Sequence, residues 1–123
     1  MAELLARKYF DDTFYFDSAG LYAKSGADIS LHAAQVLATH FACNAEHFTA
    51  KNIKDLHLDD FDCIVALDSG IVAEIAKRKS PQTMLLSIPV QDPYGENMKT
   101  YAECAQAIQR EVVKYLAQKW QVL

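Results

Sequence analysis

Phe61-Asp62-Cys63-Ile64-Val65-Ala66-Leu67-Asp68 is an apolar run, interrupted by Asp62, that stops at a carboxylate. From Phe61 to Leu67 its length suits a strand buried on both faces, which reads as continuous rather than alternating hydrophobicity. A second run of the same kind spans Met84 to Ile88. Between the two, Ile71, Ile75 and their neighbours fit a short helix ending in Lys77-Arg78-Lys79, where cations suit the negative end of the helix dipole. Strand, helix, strand implies two parallel strands joined by a crossover.

Reading outward extends the alternation. Ala2 to Phe10 places Leu4, Leu5, Ala6 and Tyr9 on one helical face, with no capping residue ahead of it, and the expectation is that a segment is missing upstream. Phe14-Tyr15-Phe16 reads as a short strand ending at Asp17-Ser18-Ala19-Gly20, where the glycine permits a turn. Ser30 is an N-cap for a helix to Phe41, with Leu31, Ala34, Leu37 and Ala38 facing inward. From Met98 to Trp120, the residues Tyr101, Cys104, Ala105, Ile108, Val112, Tyr115 and Leu116 recur at intervals of three and four, the signature of a long amphipathic helix. The expected architecture is α/β, a parallel sheet between helical layers, in one domain over residues 1–123.

Composition narrows the partners. The 123 residues are 51% hydrophobic and 23% charged, enough for one real core. A formal net charge of −4 and the lack of any long basic run argue against nucleic acid. No stretch approaches the roughly 18 apolar residues of a membrane span, and the expected location is the cytoplasm. Cys43, Cys63 and Cys104 are odd in number and widely spaced, which argues against a disulfide framework and a zinc site. His32, His40, His47 and His57 show no metal-binding spacing with carboxylates. Neither a metal nor a cofactor is expected.

Ligands of such a sheet sit beyond the carboxyl ends of its strands, and Ser18, Asp68 and Asp92 all fall at such ends. Asp92 belongs to Ile88-Pro89-Val90-Gln91-Asp92-Pro93-Tyr94-Gly95. Pro93 pushes Asp92 toward an extended conformation, so its carboxylate is aimed with little freedom left to lose. Two readings stand: a plain turn, whose usual residues these are apart from Tyr94, and the seat of a general acid.

In this order the pieces resemble the low-molecular-weight protein tyrosine phosphatases. Met1-Ala2-Glu3 opening a helix, Ser18-Ala19-Gly20 after a strand, Phe61 to Asp68, Asp92-Pro93-Tyr94-Gly95 and the helix containing Tyr101 carry the likeness, which covers nearly the whole chain. The resemblance implies a phosphomonoesterase working through a phosphocysteine on a Cys-x5-Arg loop, with phosphoprotein or aryl phosphate as substrate. By that match Asp92 is the general acid, Tyr94 a wall of the substrate cleft, and Ser18 a support of the phosphate loop. His47 would be a second support, although the residues after it are out of step by one position.

One departure matters most. In the family the phosphate loop ends in Arg-Ser-Pro just before a Met-Ala-Glu like the one at residues 1–3, so the central first strand and the nucleophile loop are expected to be missing. The Cys-x5-Arg that does occur, Cys104 to Arg110, encloses Ala105-Gln106-Ala107-Ile108-Gln109, helix formers without a glycine. Helical N–H groups are already bonded and cannot wrap a phosphate. Hence the chain as given is expected to be inactive, and the alternative is a natural non-catalytic relative serving as a binding module. Loss of a central strand would leave Phe14 to Asp17 and Phe61 to Leu67 with bare edges, which should close on each other or pair between two copies as a homodimer.

Overall fold

The computed structural model describes residues 1–120. Helix α1 (Ala2–Phe10) leads through an irregular segment to α2 (Leu31–Phe41). Two 3-10 turns, Ile53–Asp55 and Leu58–Asp60, then precede strand β1 (Cys63–Ala66). A third turn, Ser69–Ile71, opens into α3 (Val72–Arg78), followed by β2 (Met84–Ser87). The last helix runs as α4 (Met98–Ala107), a π-helical stretch (Ile108–Val113) and α5 (Lys114–Lys119).

The two apolar runs do pair. β1 and β2 lie parallel with Cys63 opposite Met84 and Ala66 opposite Ser87, the register that a helical crossover requires. Alternation splits their side chains between two faces. Val65, Leu67, Leu86 and Ile88 pack on the main core, built from Leu5 and Phe10 of α1, Val36 and Leu37 of α2, and Ala105, Ile108 and Val113 of the last helix. Ala66 points the other way, toward the side where Ile75 of α3 and Ile53 are buried apart from that core. Helices therefore cover both faces of a small parallel sheet.

Capping follows local chemistry. Ser30 accepts a hydrogen bond from the Ala33 amide at 3.1 Å, and Asn97 accepts one from Thr100 at 3.0 Å, each satisfying an orphan donor at a helix start.

Three expectations are corrected. Phe14-Tyr15-Phe16 forms no strand: among the described residues it has no ladder partner, and the Phe16 carbonyl takes the Arg7 guanidinium at 2.7 Å instead. The edge of Phe14 to Asp17 thus neither closes on β1 nor exists as a strand. In α2 the buried set is Ala33, Val36 and Leu37, whereas Leu31 is 71% exposed and Ala38 is exposed. Of the expected inward set, Leu37 is fully buried and Ala34 packs against the core, while Ala33 and Val36 take the places assigned to Leu31 and Ala38. Tyr115 is also exposed. The π-helical stretch widens the turn by one residue, so after Val112 the buried face passes through Val113, Leu116 and Ala117.

Candidate active site

Asp92 sits just past β2 on a turn whose geometry is local. Its Oδ1 accepts the Tyr94 amide at 3.0 Å, and the Pro93 carbonyl accepts the Glu96 amide at 2.9 Å. Gly95 has φ +80, the left-handed value that the third position of a type II turn requires. Pro93 is buried beneath the turn while Asp92 is exposed and Tyr94 is 83% exposed. The proline is thus an anchor, and the carboxylate and phenol project outward. Oδ1 is engaged by an N–H, while Oδ2 has no hydrogen-bond partner among the described residues.

Burial raises the pKa of the Cys104 thiol; the Met1 amino group opposes this and the charge of Asp92 adds to it, so all three groups share one neighbourhood. Glu3 is another charge felt by the Met1 amine, and its Oε1 accepts the Ser18 hydroxyl at 2.7 Å. Ser18 is thus bonded to the first turn of α1, although the segment before it is not the strand whose end the sequence assigned to it. His47 does not join these groups. It is exposed in the turn Ala45 to Phe48 and makes no hydrogen bond among the described residues.

Cys104 and Arg110 form no loop. The thiol is buried on α4, the Cys104 carbonyl already accepts the Ile108 amide, and the Arg110 guanidinium bonds its neighbour Glu111 at 3.3 Å on the surface. No groups of three or more metal-ligating side chains gather among the described residues.

Sequence reasoning missed the lashing of residues 16–18. Glu3 Oε2 pairs with Arg7 at 3.1 Å, and Arg7 in turn holds the Phe16 carbonyl. The Asp17 carboxylate, only 4% exposed, accepts Lys51 Nζ at 2.7 Å and the Ser18 amide at 2.9 Å. Burial pushes the Asp17 pKa up, but Lys51, the Ser18 N–H and the Tyr15 hydroxyl together hold it below the usual carboxylate value. Lys51 is raised in return, chiefly by its hydrogen bond to Asp17. Glu3 and Arg7 stand at the i, i+4 spacing that could have revealed their pairing. Nothing links Lys51 to Asp17 in a single sequence.

No curated protein sequence matches the chain. Among solved structures, the low molecular weight protein tyrosine phosphatase of T. tengcongensis is similar with a TM-score of 0.82 at 20% identity, over 96% of this chain and 88% of that one. The YwlE arginine phosphatase from Geobacillus stearothermophilus gives 0.84 at 24%, over 98% and 82%. The tyrosine phosphatase Wzb from Escherichia coli K30, in complex with sulphate, gives 0.85 at 14%, over 97% and 87%. At these identities the likeness establishes the fold. Residues 1–121 also match the family model described as low molecular weight phosphotyrosine protein phosphatase, and over that length the match shows that the chain belongs to the low molecular weight phosphotyrosine protein phosphatases.

Proposed function

We propose that this chain carries the proton-donating arm of a phosphomonoesterase acting on aryl phosphates such as phosphotyrosine, and that its 123 residues hold no nucleophile and turn over no substrate unaided. The observation that carries the reading is the Asp92 turn: a carboxylate past β2, exposed, braced by a buried proline, with Oδ1 tied back and Oδ2 open. In the reaction Oδ2 would give its proton to the leaving phenol oxygen, and the resulting carboxylate would take one from the water that hydrolyses the phosphocysteine. Tyr94 would line the cleft against the aryl ring. The sole Cys-x5-Arg within the chain is the helical one, which supplies neither thiolate nor phosphate cradle. Three unpaired thiols fit a reducing cytoplasm.

Hydrolysis of p-nitrophenyl phosphate tests it. The chain should show no turnover above buffer, and placing an extended strand and Cys-x5-Arg-Ser-Pro ahead of Met1 should create activity that Asp92→Ala lowers by about 10²- to 10⁴-fold. Turnover by the 123-residue chain that Cys104→Ser abolishes would overturn the reading.

A second reading, a binding module without catalysis, is favoured by the side of β1 that has no ladder partner among the described residues. The ladder to β2 uses Asp62, Ile64 and Ala66, so the N–H and C=O groups of Cys63 and Val65 point away from it. Such an edge takes another strand, and a second copy of the chain could supply it. Tyr15, exposed and stacked on Phe61 at 6.2 Å, adds an aromatic surface at the start of β1. Sedimentation across a concentration series that shows monomer alone would remove the homodimer form of this reading.

A further inference from the structure

The turn that carries Asp92 is short, lies on the surface and is held by bonds within itself at residues 92–94 and 93–96. Such a turn keeps its own shape but has no fixed direction relative to the body unless something outside grips it. Pro93 supplies apolar burial at one end, and Asn97 caps α4 at the other. Among the described residues, one side chain from elsewhere in the fold bonds the segment: His32, in the first turn of α2, whose Nδ1 lies 3.2 Å from the Glu96 carbonyl. We propose that His32 is a positioning residue that latches the Asp92 turn to α2, a role that rests on the reading of Asp92 as the acid.

A carbonyl oxygen can only accept, so His32 Nδ1 must carry the hydrogen, which selects one tautomer of the neutral ring. The ring is not free to swing. It stands edge-on against Tyr101, with centroids 5.4 Å apart and planes at 75°, and Tyr101 is buried in α4. Tyr101 lies four residues after Asn97, so the packing and the hydrogen bond approach the turn from both of its flanks. The latch thus ties together α2, the turn and the start of α4, and the direction of the Asp92 carboxylate follows from that triangle. A general acid misplaced by about 1 Å loses much of its effect, which is why a bond several residues away bears on it.

Amide hydrogen exchange of the ¹⁵N-labelled chain tests the latch without needing turnover. His32→Phe keeps a ring against Tyr101 and removes the donor; His32→Asn keeps a donor near the Nδ1 position and removes the ring. Loss of one net hydrogen bond should speed exchange at the Tyr94 and Glu96 amides about fivefold in His32→Phe, while Leu37 and Val113 in the core keep their rates. His32→Asn should return both turn amides toward the wild-type rate. The ¹⁵N shifts of the wild-type ring should show Nδ1 protonated at pH 8. Unchanged exchange in His32→Phe, equal acceleration of core and turn, no recovery in His32→Asn, or an unprotonated Nδ1 would each overturn the proposal. If either variant fails to fold, the wild-type ring shifts still decide it. Should Asp92→Ala prove silent in the extended enzyme while these readouts hold, the catalytic reading falls and the latch stands.

Discussion

Substitutions at the Asp17–Lys51 pair should be unequal, and the order is set by which partner is buried. The Asp17 side chain is 4% exposed and that of Lys51 is 42% exposed, with 2.7 Å between them. Lys51→Met leaves a carboxylate desolvated without its cation, and orphaning a buried charge costs about 3–5 kcal/mol. The remaining Ser18 and Tyr15 donors soften this, which places the expected loss near the lower end, about 3 kcal/mol. Asp17→Ala removes the bonds from Lys51, the Ser18 amide and the Tyr15 hydroxyl, but the lysine is already half in water and rehydrates, the exposed hydroxyl does the same, and the cost of burying the carboxylate is relieved, which leaves a loss of about 1–2 kcal/mol. At about 4 °C per kcal/mol for a chain of this size, the two variants should melt about 12 °C and about 6 °C below wild type.

Urea unfolding at several pH values separates this account from a simple packing loss. Asp17 is held below its unfolded pKa, so its contribution is fully present above about pH 4, the unfolded value, and is lost as pH falls through the folded one. The gap between wild type and Asp17→Ala should therefore be flat from pH 8 to 5 and close in more acidic solution. In Lys51→Met the buried carboxyl can fold protonated, so its deficit should shrink as pH falls toward 4. If Asp17→Ala costs more than Lys51→Met, or if neither gap depends on pH, the pair does not hold residues 16–18 by charge.

Two further outcomes follow from local geometry. Asp11 has φ +50 and ψ −125 and, with the Thr13 amide bonded to the Phe10 carbonyl, occupies the second position of a type II′ turn, where glycine is at home. Asp11→Gly should raise stability by about 1 kcal/mol in urea titrations, since relief of the strained backbone exceeds the added freedom of the unfolded chain; a loss would show that Asp11 is not strained. Burial is the leading cause that raises the pKa of Cys43, Cys63 and Cys104, so iodoacetamide at pH 7.5 should label all three at least about tenfold more slowly in the native chain than in urea. Rapid native labelling of any one would mark a reactive thiol.

What the sequence showed and what it hid divide along the range of the interactions concerned. The bounds of α1, the Ser30 cap, the two parallel runs and the long last helix depend on neighbours within a few residues, and those patterns are visible in a single chain. Phe14 to Phe16 had the same aromatic, strand-forming character, yet a strand exists only if another lies beside it, and among the described residues none does. Tyr115 was misplaced because a π-helical stretch shifts the phase of a stripe that otherwise follows α-helical spacing. The Asp92 turn was legible because Asp, Pro and Gly each impose backbone constraints within four residues. Its tie to His32, sixty-four residues away, was not.

Cys104 and Asp92 carry the sharper lesson about reading chemistry from spacing. A Cys-x5-Arg binds phosphate only when its amides are free to converge, which requires a loop entering a helix; here the same residues run from α4 into the π-helical stretch, and the Ile108 amide among them is already spent on the Cys104 and Ala105 carbonyls. The run Ala105 to Gln109 forecast that outcome, since it holds no residue that would break a helix. Asp-Pro-Tyr-Gly has the opposite property: Asp, Pro and Gly all disfavour continuing a strand or helix, so the chain leaves regular structure where β2 ends. A short motif is informative about function to the extent that its own residues enforce the backbone its chemistry needs. By that measure the acid turn of this chain keeps its geometry with or without a nucleophile, and Asp92→Asn, which keeps the Tyr94 amide bonded, should leave the exchange rates of the turn unchanged while removing the proton that Oδ2 would carry.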